Sequence, residues 1–368
     1  MRKKRKSSFL YVLEILIIVL IAAIITFVVL YSMNPKKLRE SIVRMSDQIQ
    51  VFTTNIYENF AGKKVVEDNL EFPDEETLNE AQNYYYYQQL NETGKKIYVS
   101  IEKNIEALKN GDDNIQLPPS LNEDAKSNPD GKEFIAREFQ NAWDAFITDK
   151  SEYFYIDSSK VCLVTKMTTK GSSTEYEFFI GKGDNNNYFI DSFTSKEQVE
   201  SALAEIENEK NEVLKGASGN NYEKMKYVHD WIVDNVKYDT ITNKNTSNIY
   251  GCLVNKAVIC EGYARTFKYL MDELDIPCVL VSGIAVDEDG KSERHAWNYV
   301  YIKNNWYAID TTWDDPIIIG NGKVDSGIRY KYFLRGSDTM NKDHTTNGQI
   351  TKNGMEFVYP VLSNEDIK

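Results

Sequence analysis

KAVICEGYARTFKYLMDELDIPCVLVSG at 256–283, HAWNYVYI at 295–302 and WYAID at 306–310 are the stretches that decide the fold. In the first, Tyr263, Phe267, Leu270, Met271 and Leu274 recur at helical spacing, and Pro277 stops the run. The helix therefore starts at or just after Cys260. Unpaired amides at that end carry partial positive charge, which favours a thiolate and can hold an oxyanion. Gly262 reads as leaving room for a substrate backbone beside the sulfur. Residues 278–284 form a strand and Asp287 to Gly290 a turn. The other two stretches alternate as strands and, with a two-residue turn read at Asn304-Asn305, make a hairpin.

His295 opens one strand of that hairpin and Asp310 closes the other, at the same end of the sheet. Pairing Lys303 with Trp306 sets Tyr299 opposite Asp310. His295 and Asp310 then share a face but stand four residues apart, about 13 Å at ~3.3 Å per residue. Twist, a bulge or a longer loop has to close that distance. Only then can Asp310 orient the His295 ring and His295 serve Cys260 as a base.

Ahead of these stretches runs a helix from Tyr222 to Asp239, with Met225, Val228, Ile232 and Val236 on its apolar face. His229 sits at the edge of that face and reads as capping the core rather than as a catalytic group. A charged helix, about 196–215, and the GASGN stretch at 216–220 separate the domain 216–368 from a module at 81–215. That module begins with a helix of about 84–108, followed by a Pro-rich loop at 110–131 and a helix of about 132–148. Short alternating runs at 153–156, 161–168, 175–180 and 188–190 then predict a small antiparallel sheet. Its many aromatics are expected in the core.

The N-terminus has a different character. FLYVLEILIIVLIAAIITFVVLYSM, residues 9–33, carries Glu14 as its one charge and exceeds the ~20 residues that a spanning helix needs. RKKRK precedes it, in the tail 1–8, so the expected topology is a single-pass cell-membrane anchor with its N-terminus cytoplasmic and the domains beyond it extracytoplasmic. The stretch is too long, and its exit too bulky, for a cleaved signal peptide. Within 34–80, Leu38, Ile42, Met45, Ile49, Phe52 and Ile56 form a stripe. It is read as an amphipathic helix packed on its own chain, with a homodimer pairing through 38–56 as the alternative.

Composition excludes several functions. The formal net charge is −13, although the tail is basic, and no basic stripe offsets the acidic body, so nucleic acid is not an expected partner. Three histidines and four cysteines show no zinc-finger spacing, and no metal or other cofactor is expected. If Cys260 is a nucleophile it stays free, and Cys162, Cys252 and Cys278 read as buried thiols.

KAVICEGYARTF, the HAWNYV strand and WYAIDTTWDDP together resemble the transglutaminase-like superfamily, in the bacterial branch similar to the cytokinesis and kyphoscoliosis-peptidase group. The resemblance runs from about Tyr222 to Leu334. It implies an α+β chain whose last domain has a papain-like core of helices packed on an antiparallel sheet. It also implies Cys260 as nucleophile, His295 as base and acid, and Asp310 as orienter. Gly262, Tyr263, Trp297, Asn298, Thr312 and Trp313 are the expected supporting residues. Cys252 departs from the small residue usual in the family. The module from about Tyr84 to Ile190 looks like one found ahead of such domains, with no chemistry assigned. The implied reaction passes an amide acyl group through a thioester to water or an amine, with a protein, peptide or cell-wall peptide as substrate. Two rivals are a surface module that binds a peptide or wall polymer in the same groove without catalysis, and a purely structural head on the stalk helix.

Overall fold

The computed structural model describes residues 68, 70–73, 84–239, 244–315, 326–352 and 354–367. The expected anchor at 9–33 and the stripe at 38–56 lie outside them. Among the described residues, no helix is long and apolar enough to cross a membrane.

The chain is α+β, and its hydrophobic core runs unbroken through both modules. The accessory module opens with a 3-10 turn at Tyr87–Gln89 and the helices α1 (Glu92–Lys103) and α2 (Ile105–Asn110). The sequence read this region as one helix. The Asn104 side chain instead turns back to the Ser100 carbonyl and the chain kinks there. β1 (Ile115–Gln116) and α3 (Leu121–Ser127) occupy the expected loop, and α4 (Lys132–Asp149) packs on α1. β2 (Cys162–Lys170) and β3 (Ser173–Gly181) form the hairpin of a three-stranded sheet, ordered β1-β3-β2. The predicted strands at 153–156 and 188–190 shrink to a single bridge between Ile156 and Phe189. The aromatic rings decide this. Tyr153 stacks on Phe146 while Phe154 stacks on Tyr250, so consecutive side chains serve separate packing sites instead of alternating across one sheet.

α5 (Lys196–Leu214) leads into α6 (Asn221–Asn235), which starts with a capping box between Asn220 and Glu223. β4 (Lys237–Tyr238) pairs in parallel with β5 (Ala257–Val258), beyond the short α7 (Ile249–Leu253). That pairing sets the start of α8 (Cys260–Asp272). Tyr263, Phe267, Leu270 and Met271 on α8 are buried, each full burial contributing about 1.5–3 kcal/mol. The helix ends before Asp275, whose φ is +55°, and Pro277.

α8 covers one face of a four-stranded antiparallel sheet ordered β8-β7-β6-β9. Its strands are β6 (Cys278–Val286), β7 (Ser292–Ile302), β8 (Asn305–Ile309) and β9 (His344–Thr346). Every residue of β7 from His295 to Val300 is buried, so both faces of the sheet are covered there. The β7–β8 hairpin corrects the expected register. Ile302 pairs with Asn305, and the turn is Lys303-Asn304, with φ +51° and +62°. Positive φ at both central residues is the type I′ geometry that matches strand twist. Asn298 consequently faces Ile309, which moves Asp310 two residues closer to His295 and leaves both on one face.

Candidate active site

Cys260 is the first residue of α8, entered from an extended Ile259. The amides of Gly262 and Tyr263 both return to the Ile259 carbonyl. Those of Cys260 and Glu261 have no backbone acceptor among the described residues, as expected of the first turn of a helix. The half-buried thiol lines a cavity of about 250 Å3 with His295, Arg294, Ser282, Thr148 and Tyr359. All four cysteines are free, and Cys252 and Cys278 are buried. Burial pushes the Cys252 thiol up to about 12 and holds Cys278 well above the ordinary thiol value, which leaves both inert as nucleophiles.

His295 is buried on β7, and its Nε2 donates to Asp310 Oδ2 at 2.7 Å. Nδ1 is thereby left as the ring nitrogen available to the thiol. Burial opposes charge on this ring, but the Asp310 carboxylate and the neighbouring Cys260 outweigh it and lift His295 to about 10. Asp310, fully buried just past β8, would be raised by that burial, yet His295 and His344 hold it well below the usual carboxylate range. Its second oxygen accepts from the backbone amides of Thr312 at 3.0 Å and Trp313 at 3.2 Å. The chain doubling back after Asp310 thus fixes the carboxylate plane.

The other expected supporting residues fall around this pair. Trp297 stacks along His295 with centroids 6.0 Å apart, and Trp313 lies 5.4 Å from the same ring. Asn298 Nδ2 donates to the Ala264 carbonyl at 3.0 Å, tying β7 to the helix that carries Cys260. Tyr263 donates to Asp315. Gly262 serves differently from the expectation. A Cβ there would lie 2.5 Å from the Thr246 carbonyl oxygen and from Val258 Cβ, so the absent side chain admits the chain's own backbone, not a substrate.

Two histidines complete the picture. His229 is fully buried, inside the core rather than at its edge, between Asp230 and Asp314 at 3.1 Å from each. His344, too far along the chain to be placed by any local pattern, lies on β9 and donates through Nε2 to the Asp310 oxygen used by His295, at 3.1 Å. Its Nδ1 meets Asp343 at 2.6 Å, and Asp343 accepts from the Tyr332 hydroxyl at 2.7 Å. His295, Asp310 and His344 offer three metal-ligand atoms within 4.8 Å of one another. Tetrahedral ligands at ~2.1 Å from a metal stand about 3.4 Å apart, wider than the 2.7 and 3.1 Å seen here, and this group is closed to solvent. Hydrogen bonds account for it. Tyr238 is pushed up to about 12 by burial and by the charges of Cys260, Glu293 and Asp310, so it stays a neutral phenol.

The matches to known proteins fall on this region. Residues 209–311 match the model of the transglutaminase-like superfamily. Kyphoscoliosis peptidase of Mus musculus is 26% identical over 156 residues, covering 39% of this chain and 22% of that protein. The Homo sapiens protein is 24% identical over 148 residues, covering 37% and 21%. The chain thus spans about a fifth of the length of these curated relatives. A solved TGase structure aligns with 17% identity and a TM-score of 0.28, covering 48% of this chain and 50% of that one. The periplasmic domain of TgpA from Pseudomonas aeruginosa, bound to ethylmercury, aligns with 12% identity and a TM-score of 0.23, covering 38% and 56%. By sequence, the segment 209–311, which holds Cys260, His295 and Asp310, belongs to the transglutaminase-like superfamily.

Proposed function

We propose that this chain is a thiol enzyme that cleaves or transfers amide acyl groups through Cys260, His295 and Asp310. One observation carries the reading. The thiol at the head of α8 shares a solvent-reached cavity with an imidazole whose far nitrogen is fixed to a buried carboxylate at 2.7 Å. With Nε2–H committed to Asp310, Nδ1 takes the thiol proton. The sulfur then attacks the amide carbonyl carbon, and the free amides of Cys260 and Glu261 stand where they can hold the oxyanion. His295 returns the proton to the leaving nitrogen as the C–N bond breaks, leaving a thioester. Water or an amine, deprotonated by the same ring, displaces the sulfur and restores the thiol. Transfer to water makes the enzyme a peptidase or amidase, and transfer to an amine makes it a cross-linker. The mouse and human relatives carry the name peptidase, which favours water.

The proposal extends to location. Residues 9–33 anchor the chain in the cell membrane with its catalytic domain outside, facing protein or wall-derived peptide substrates. The test is alkylation of the full-length chain by iodoacetamide across pH. Cys260 should react far faster than an ordinary thiol, and His295→Ala should abolish the advantage. Reaction at the ordinary rate in the wild type would leave a binding module instead.

A further inference from the structure

A second and larger cavity, about 510 Å3, adjoins the one that holds Cys260. Glu261 and Arg265 line both, so the two meet across the first turn of α8. The accessory module supplies one wall, from Ile147 to Ser158 with Ile190 and Asp191. The transglutaminase-like module supplies the other, with Lys244, Thr246, Ser247 and Asn248. The accessory wall also reaches the first cavity through Thr148. Arg265 Nη1 donates to the Ile147 carbonyl at 2.6 Å, holding the two walls together at the junction.

The lining selects the kind of ligand. Arg265 is paired with Glu261 at 2.8 Å and Lys150 with Glu102 at 3.1 Å. Asp157 and Asp191 both face Lys160, at 3.7 and 3.1 Å, and Lys244 donates to the Asp191 carbonyl at 3.1 Å. The charged side chains that line the cavity balance, with Lys150, Lys244 and Arg265 against Asp157, Asp191 and Glu261, so a charged ligand meets no net counter-charge. Ser158 on one wall and Thr246 and Ser247 on the other, by contrast, bring neutral hydroxyls at residues that are not buried. Neutral hydroxyls both donate to and accept from the amides of a peptide backbone, with no charge required. Phe154 and Ile156 give the same wall an apolar part. A neutral chain rich in amides, with small or apolar side chains, fits these demands together.

We propose that this cavity is the subsite for the uncharged peptide chain leading away from the amide attacked at Cys260, so that the accessory module is half of the substrate groove. The inference rests on the thiol-enzyme reading and assigns its substrate as a peptide of several residues rather than a small amide.

The experiment uses oligoalanine chains of one to five residues carrying a thiol-alkylating end. One series ends in a C-terminal chloromethyl ketone and the other begins with an N-terminal chloroacetyl group. In each, the Cys260 sulfur forms a bond to the methylene carbon and chloride leaves. In the full-length wild type the alkylation rate should climb about tenfold with length in one of the two series. Ser158→Trp and Ser247→Trp, which fill the cavity from opposite walls, should flatten that climb and leave the iodoacetamide rate unchanged. A flat length dependence in both series, or a climb that survives both substitutions, overturns the subsite. Failure of iodoacetamide to single out Cys260 in the wild type would overturn the enzyme reading itself, and is seen separately.

Discussion

His344 donates to the same carboxylate oxygen of Asp310 that His295 uses, at 3.1 Å against 2.7 Å. The Asp310 carboxylate is thus held by two imidazoles and two backbone amides, with Asp343 and Tyr332 behind the second ring. His344→Ala removes one donor to a buried charge, a loss of about 1.5–3 kcal/mol. Asp310 then gains freedom to turn, so kcat should fall about tenfold or more while KM stays nearly constant. An unchanged kcat would show that His344 only fills space.

The His295 shift makes stability depend on pH. Its folded value of about 10 lies above the ordinary 6.5, because Asp310 and Cys260 outweigh the burial that opposes the charge. The stabilisation is fully present below 6.5 and is lost as pH rises through about 10. Urea unfolding of wild type and His295→Asn at stepped pH should show their stability difference shrinking over that window. A difference that holds constant or widens there would contradict the ion pair.

Asn298 is fully buried and bridges from β7 to the Ala264 carbonyl, one turn along the helix from Cys260. Asn298→Ala leaves that strand-to-helix tether unmade at a cost of about 1–3 kcal/mol. It should also slow iodoacetamide at Cys260, since the thiol loses its fixed distance from His295. Thermal unfolding and alkylation together check this. Loss of stability with full alkylation speed would confine Asn298 to packing.

The sequence made these elements legible to different depths. Helical spacing after Cys260 and the stop at Pro277 placed that thiol at a helix start, because a long amphipathic run overdetermines its own ends. The hairpin was legible in parity but displaced by one pair, since Lys303 adopts a φ of +51° that its residue type does not advertise. His344 was illegible for another reason. β9 spans three residues and joins β6 across more than fifty positions of chain, so no local period announces it. The run at 153–156 misled because strand propensity is a statement about packing, and here neighbouring rings pack in different places.

Gly262 is the position where backbone approach, more than chemistry, constrains the site. An added Cβ would meet the Thr246 carbonyl oxygen and Val258 Cβ, each at 2.5 Å. Neither can swing aside as a flexible side chain would. The Thr246 carbonyl is itself the acceptor for the Ile259 amide, the bond that seats the residue before Cys260. Relief of the clash must therefore push α8 away from that loop and carry the thiol with it. Gly262→Ala should destabilise the chain by about 1–3 kcal/mol, the usual cost of overpacking. The alkylation rate at Cys260 should drop in the same variant, because the sulfur leaves its place beside His295. Chemical denaturation and iodoacetamide kinetics measure the two effects. Stability and rate both matching wild type would mean that the strand and helix give way freely, and that the placement of Cys260 owes nothing to this contact.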